Sequence, residues 1–258
     1  MAQKPSNDTE TTEATKGATE ALEQAQKNEV ATKTEESSLR LGSVNIDETP
    51  QDIASSGGIP VLKTAYGVGN LANEGHAPGT IVLGDYVLAH VDEPLKIYTV
   101  GVDFYWKEVT EYVRGQFVPA NKVRTRAEVH ALGKTTDWTD DPNVPGKRLQ
   151  PDYRPAADFI FLIEQPKDLV SPHFTLPLGN SVYGLARYYA DKTAYDKAGE
   201  PIVKVVAGAN RPYAFEFEFL TSKYPVGGET RVFPRSRLVG QTDAELAEAI
   251  ASALAEVG

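Results

Sequence analysis

The chain has 258 residues, no cysteine and a formal net charge of −10. That length supports one sizeable hydrophobic core, and the lack of cysteine excludes disulfides, thiolate zinc sites and cysteine nucleophiles. The acidic balance argues against a protein that coats duplex DNA through a broad positive surface, though it leaves room for a local basic groove.

Every Phe, Tyr and Trp lies at Tyr66 or beyond. A segment without large apolar side chains cannot bury enough surface to offset its ordering entropy. Residues 1–55 are therefore expected to be a disordered acidic arm, residues 56–240 a β-rich body and residues 241–258 an amphipathic helix. Between Thr9 and Lys27 the arm has helix-favouring Ala and Glu, but Leu22 is its one large apolar residue, so no docking face exists. Met1 to Pro5 open the chain without an apolar core, and no signal peptide is expected. Apolar runs such as Phe159–Ile163 fall far short of the roughly 20 residues needed to cross a bilayer, and no membrane partner is expected.

Within the body, Gly79–Val91 reads as two short strands or one bulged strand around Gly84 and Asp85. Leu95–Trp106 is rich in β-formers. A short helix is predicted over Arg124–Leu132 after Thr125, with Gly133 placed to stop it. Thr135–Pro155, with Asp137, Asp140, Asp141 and four prolines, reads as a long turn-rich loop. Phe159–Ile163 suits a strand buried on both faces. Tyr183–Ala194 fits helix or strand, and Pro201–Val206 reads as a short strand. Tyr213, Phe215, Phe217 and Phe219 alternate with Ala214, Glu216 and Glu218, the period of a strand with one buried and one wet face. Thr242 and Glu245 form a capping-box pattern ahead of Leu246, Ile250, Leu254 and Val257 at helical spacing. That helix must pack on its own body or on a neighbouring subunit, which makes it the candidate contact of a homo-oligomer. The fold class is mainly β, a β-rich α+β arrangement.

No catalytic motif emerges. His76, His90, His130 and His173 form no HxH or HxxxH pair. The Asp137–Asp141 acids lack the alternation, central Gly and closing Glu of a calcium loop. There is no GxSxG elbow. Gly67-Val68-Gly69 lacks a third glycine, and Gly133-Lys134-Thr135 lacks the glycine that opens a phosphate loop. A non-enzyme without metal or cofactor is the expectation.

Binding is a better reading. Arg114, Lys122, Arg124 and Arg126 lie in an acid-free stretch close to Trp106, Tyr112 and Phe117. Arg231, Arg235 and Arg237 form a second such cluster around Phe233, and Lys147, Arg148, Tyr153 and Arg154 in the long loop add a third contact. Single-strand binders combine a positive track with aromatic platforms, because phosphates attract cations and every base has a stackable face. Trp106, Tyr112 and Trp138 are the candidate stacking residues. Arg114, Lys122, Arg124, Arg126 and Arg154 are the candidate phosphate contacts, and Tyr153 joins them through the central loop.

Several short words carry a family resemblance: Phe104-Tyr105-Trp106-Lys107-Glu108, Arg124-Thr125-Arg126-Ala127-Glu128 and Gly133-Lys134-Thr135-Thr136-Asp137-Trp138. They continue with Pro155-Ala156-Ala157-Asp158-Phe159, Leu162-Ile163-Glu164-Gln165-Pro166 and Tyr183-Gly184-Leu185-Ala186-Arg187-Tyr188. The stretch resembles a group of bacteriophage single-stranded-DNA-binding proteins of the replication module. The resemblance implies an OB-like, partly closed β-barrel that binds single-stranded DNA on one face without catalysis, in the host-cell cytoplasm. Members with cysteines in the central loop differ from this chain, and the acidic segment here is N-terminal, so tail-mediated recruitment of replication partners is not implied. The rival reading is a virion structural or assembly protein, to which a polar arm, a β-rich body and a docking helix are equally suited.

Overall fold

The computed structural model describes residues 58–66, 68–110, 118–166, 169 and 174–257. The expected disordered arm, together with Tyr112, Arg114, Phe117 and His173, lies outside the described residues.

The fold is mainly β. A three-stranded antiparallel sheet is built from β1 (Leu62–Thr64), β2 (Ile81–Leu83) and β3 (Tyr86–Ala89), with the short helix α1 (Asn70–Asn73) between β1 and β2. The main sheet uses β4 (Leu95–Glu108), β5 (Lys122–Val123), β8 (Tyr153–Glu164), β9 (Thr175–Leu178), β10 (Ser181–Asp191), β11 (Phe215–Val226) and β12 (Glu229–Gln241). Its order is β12-β11-β4-β8-β10-β9, all antiparallel, and β5 joins the far end of β4. This path is open: among the described residues β12 and β9 are not paired with each other, and no closed barrel forms. Between β5 and β8 lie α2 (Arg126–Ala131) and a small hairpin of β6 (Thr139–Asp140) and β7 (Arg148–Leu149).

β8 is covered on both sides, as its unbroken apolar run requires. Its Ala157, Phe159, Phe161 and Ile163 enter one core with Ile97 of β4, Ala186 and Tyr188 of β10, and Phe217 and Phe219 of β11. Each fully buried Phe there contributes about 2–3 kcal/mol of transfer free energy. The small sheet adds Leu62, Ile81 and Leu83 to the same core, and Tyr195, Ala198, Ile202 and Val206 close it. On the other face, Leu162, Leu185 and Tyr98 are also buried.

The region after β10 departs from expectation. Pro201–Val206 is not a strand. It belongs to a helical stretch of α3 (Lys192–Ala194), a π-helical turn (Tyr195–Gly199) and α4 (Glu200–Val206). Pro201 sits in the first turn of α4, where its missing N–H costs nothing, and Ile202 and Val206, one turn apart, reach the core together. Pro155 is in β8 rather than in a loop, pairing with Trp106. Tyr213 lies in a 3₁₀ turn (Pro212–Ala214) ahead of the alternating Phe strand.

The C-terminal helix α5 (Ala244–Val257) forms, but its cap is Asp243. The Asp243 carboxylate accepts the N–H groups of Glu245 (3.0 Å) and Leu246 (3.3 Å). The Thr242 hydroxyl instead donates to the Tyr213 carbonyl at 2.7 Å, which pins the helix entry to the 3₁₀ turn. Leu246, Ile250 and Leu254 are buried, and α5 packs on β9 and the 3₁₀ turn of its own chain. The apolar face once available for a homo-oligomer contact is thus occupied within the chain. No helix among the described residues is long and apolar enough to cross a membrane.

Candidate nucleic-acid interface

Residues directly opposite one another in an antiparallel ladder share a face, with side chains about 5 Å apart. On the face of the main sheet away from the Phe-rich core, this rule assembles a charged patch. Lys107 of β4 stands opposite Lys122 of β5 and opposite Arg154 of β8. Three cations therefore form one row across three adjacent strands. The next residues inward on this face are Tyr105, Ala156 and Asp191, then Asp103, Asp158 and Tyr189, then Ile160 and Arg187.

Carboxylates from other strands hold these cations in place. Asp158 and Arg187 form a buried ion pair, with the guanidinium donating to one carboxylate oxygen at 3.0 and 3.3 Å. The Tyr105 hydroxyl donates to the other oxygen at 2.9 Å, and Lys122 stands 3.9 Å from it with its ammonium 4.3 Å over the Tyr105 ring. A second set repeats the pattern nearby. Lys107 donates to the Tyr189 hydroxyl at 2.8 Å, that hydroxyl donates to Asp191 at 2.9 Å, and Lys107 lies 3.5 Å from the same carboxylate. Burial raises the Tyr105 and Tyr189 hydroxyls far above the usual tyrosine range, and the neighbouring Asp158 and Asp191 charges push the same way. Both hydroxyls keep their protons and donate hydrogen bonds to Asp158 and Asp191. Arg154 pairs with Asp196 at 3.3 Å, and burial raises that aspartate above its ordinary range.

The remaining expected residues are distributed as follows. Arg124 pairs with Asp103 and stays on the patch. Arg126 opens α2, where Thr125 and Glu128 make a full capping box, and pairs with Asp137 while donating to the Thr136 hydroxyl at 2.9 Å. Trp138 is 46 % exposed beside the small hairpin, with the Arg148 guanidinium 6.0 Å over its ring. Two expectations need correction. Tyr153 is 2 % exposed, so its ring is a core element and cannot stack on a base. Trp106 shares its row with Val123 and Pro155 and packs edge-on against Phe104, on the opposite face from Lys107. The structure brings Lys122, Arg124 and Arg154 together and separates Trp106 from them.

The acid-free stretch of sequence is therefore not acid-free in space, since Asp103, Asp137 and Asp158 arrive from elsewhere. The second cluster fares likewise: Arg231 pairs with Glu229 and Arg237 with Glu218. Lys107, Arg187 and Tyr189 escaped the sequence reading. The signal that could have found them is the period-2 series Tyr183, Leu185, Arg187, Tyr189, Asp191, which marks a strand face turning polar along its length.

No group of His, Asp or Glu side chains suited to hold a metal ion occurs among the described residues. No protein-family model, curated protein or solved structure matches this chain.

Proposed function

We propose that the chain binds single-stranded DNA without catalysis, in phage replication or recombination, through the charged sheet face and the adjoining Trp138 hairpin. The observation that carries this reading is the Lys122–Lys107–Arg154 row. Like charges directly opposite one another destabilise a sheet; Asp158, Asp191 and Asp196 offset this row within the chain, and a phosphate backbone carries the same sign of charge to the same cations. Lys107 and Arg154 are part-buried in their pairs with Asp191 and Asp196, and a phosphate reaching them would exchange one charge-assisted contact for another. Trp138, exposed and with Arg148 over its ring, offers the stacking platform, and base–aromatic stacking contributes about 1–3 kcal/mol per base. The OB-like expectation belongs to this reading. Strand recognition needs one accessible, positively lined sheet face, which an open sheet offers as a partly closed barrel does.

Fluorescence titration of the full chain with an oligothymidylate tests the proposal. Salt-sensitive quenching by single strands, weak with duplex, is the expected result. No binding at low salt, together with sedimentation as a large ring or shell, would replace it with the virion-assembly reading.

A further inference from the structure

Where β4 and β8 run past the end of β10, a small cavity of about 50 Å³ opens beside the cation row. Lys107, Arg154 and Lys192 line it together with Thr110, Glu108 and Asp191. Its two carboxylates are engaged by other groups: Asp191 accepts from the Tyr189 hydroxyl and faces Lys107, and Glu108 accepts from the Asn121 side chain at 2.6 Å. Lys192 differs from the other cations. It is exposed and makes no ion pair among the described residues. Its backbone is also left-handed, at φ 50°, a conformation that costs a lysine energy and that turns the chain from β10 into α3 at the cavity wall.

We propose that this cavity seats one phosphate group, with Lys107, Arg154 and Lys192 as cations and the Thr110 hydroxyl as a neutral donor. The volume has room for a compact oxyanion. Three cations and a hydroxyl lining one small cavity are the chemistry of phosphate recognition. The source of that phosphate, a phosphodiester within a strand or a terminal monoester, rests on the reading of the sheet face as a single-strand interface. The seat itself does not.

The test uses the full chain and its Lys192→Asn variant. Asparagine tolerates the left-handed backbone and removes the charge; Lys192→Gly serves as a second variant that relaxes the backbone altogether. Inorganic phosphate titrated against the labelled protein should shift the Lys192 and Thr110 backbone amides saturably in the wild type and not in either variant. Oligonucleotide affinity at low salt should fall about 3- to 10-fold in both variants, with the salt slope shallower by about 0.7. Equal affinity for 5′-hydroxyl and 5′-phosphorylated strands assigns an internal phosphodiester, and tighter binding of the phosphorylated strand assigns the end. If no oligonucleotide binds but phosphate still shifts those amides, the strand interface is wrong and the phosphate seat stands. Amides unmoved by phosphate, with variants of wild-type affinity for a strand that does bind, would overturn the seat.

Discussion

Replacing Asp158 by Asn should destabilise the body by about 3 kcal/mol, because removing one partner of a buried ion pair strands the other. The side chains of Asp158 and Arg187 are 8 % and 10 % exposed. One carboxylate oxygen accepts two guanidinium N–H bonds and the other accepts the Tyr105 hydroxyl. An asparagine keeps the shape and can still accept from the guanidinium and donate to the Tyr105 oxygen, but it carries no charge, so the buried Arg187 cation loses its counter-ion. Arg187 would feel this acutely, since its Nη1 is already buried without a hydrogen-bond partner. Urea unfolding followed by intrinsic fluorescence measures the change. The triple variant Asp158→Leu, Arg187→Met, Tyr105→Phe removes the three buried members together, leaving the exposed Lys122 to solvent, and should return to within about 1 kcal/mol of wild type. A loss below about 1 kcal/mol in Asp158→Asn, or a triple variant worse than the single, would refute the view that these groups form one coupled unit.

Three further outcomes follow from individual contacts. Gly79→Ala should cost at least about 2 kcal/mol in the same unfolding assay, since φ is +94° and the added Cβ would stand 2.9 Å from the Val91 Cβ and 3.1 Å from the Thr221 hydroxyl. Trp138→Ala should leave stability within about 0.5 kcal/mol of wild type while weakening oligonucleotide binding by about 1–3 kcal/mol, as read by anisotropy. The Asp152 carboxyl is held below its ordinary 3.8 chiefly by the Thr135 N–H. Its contribution is therefore present above that value and lost as pH falls through the lower folded value. Asp152→Asn should flatten the acid limb of stability as pH falls below about 4, and an unchanged limb in unfolding measured there would count against the contact.

Much of the architecture was legible because it is written in local periodicity. The run Phe159–Ile163 announced a strand buried on both faces, the alternating Phe215, Phe217 and Phe219 a strand with one apolar side, and Thr125 with Gly133 the limits of α2. Pro201–Val206 misled because valine and isoleucine favour strands, whereas here the proline opens a helix and the core takes Ile202 and Val206 from successive turns. Thr242 misled because two neighbouring residues were both able to cap, and tertiary contact with Tyr213 claimed the threonine. The interface was legible only in part. Sequence spacing located Lys122, Arg124 and Trp138, but strand register decides that Lys107 and Arg154 flank one another and that Trp106 turns the other way. It also decides which carboxylates meet which cations, and nothing in the local sequence encodes register between segments so far apart.

The salt dependence of oligothymidylate binding tests the central claim most directly. Four cations on the sheet face, Lys107, Lys122, Arg124 and Arg154, give an expected slope of log K against log salt near −3, taking about −0.7 per phosphate contact for a single strand. Charge reversal of Lys107 and Lys122 together should bring that slope to about −1.5 or shallower. Binding with a slope near zero, or a double reversal that binds with the wild-type slope, would contradict the placement of a DNA strand on this face.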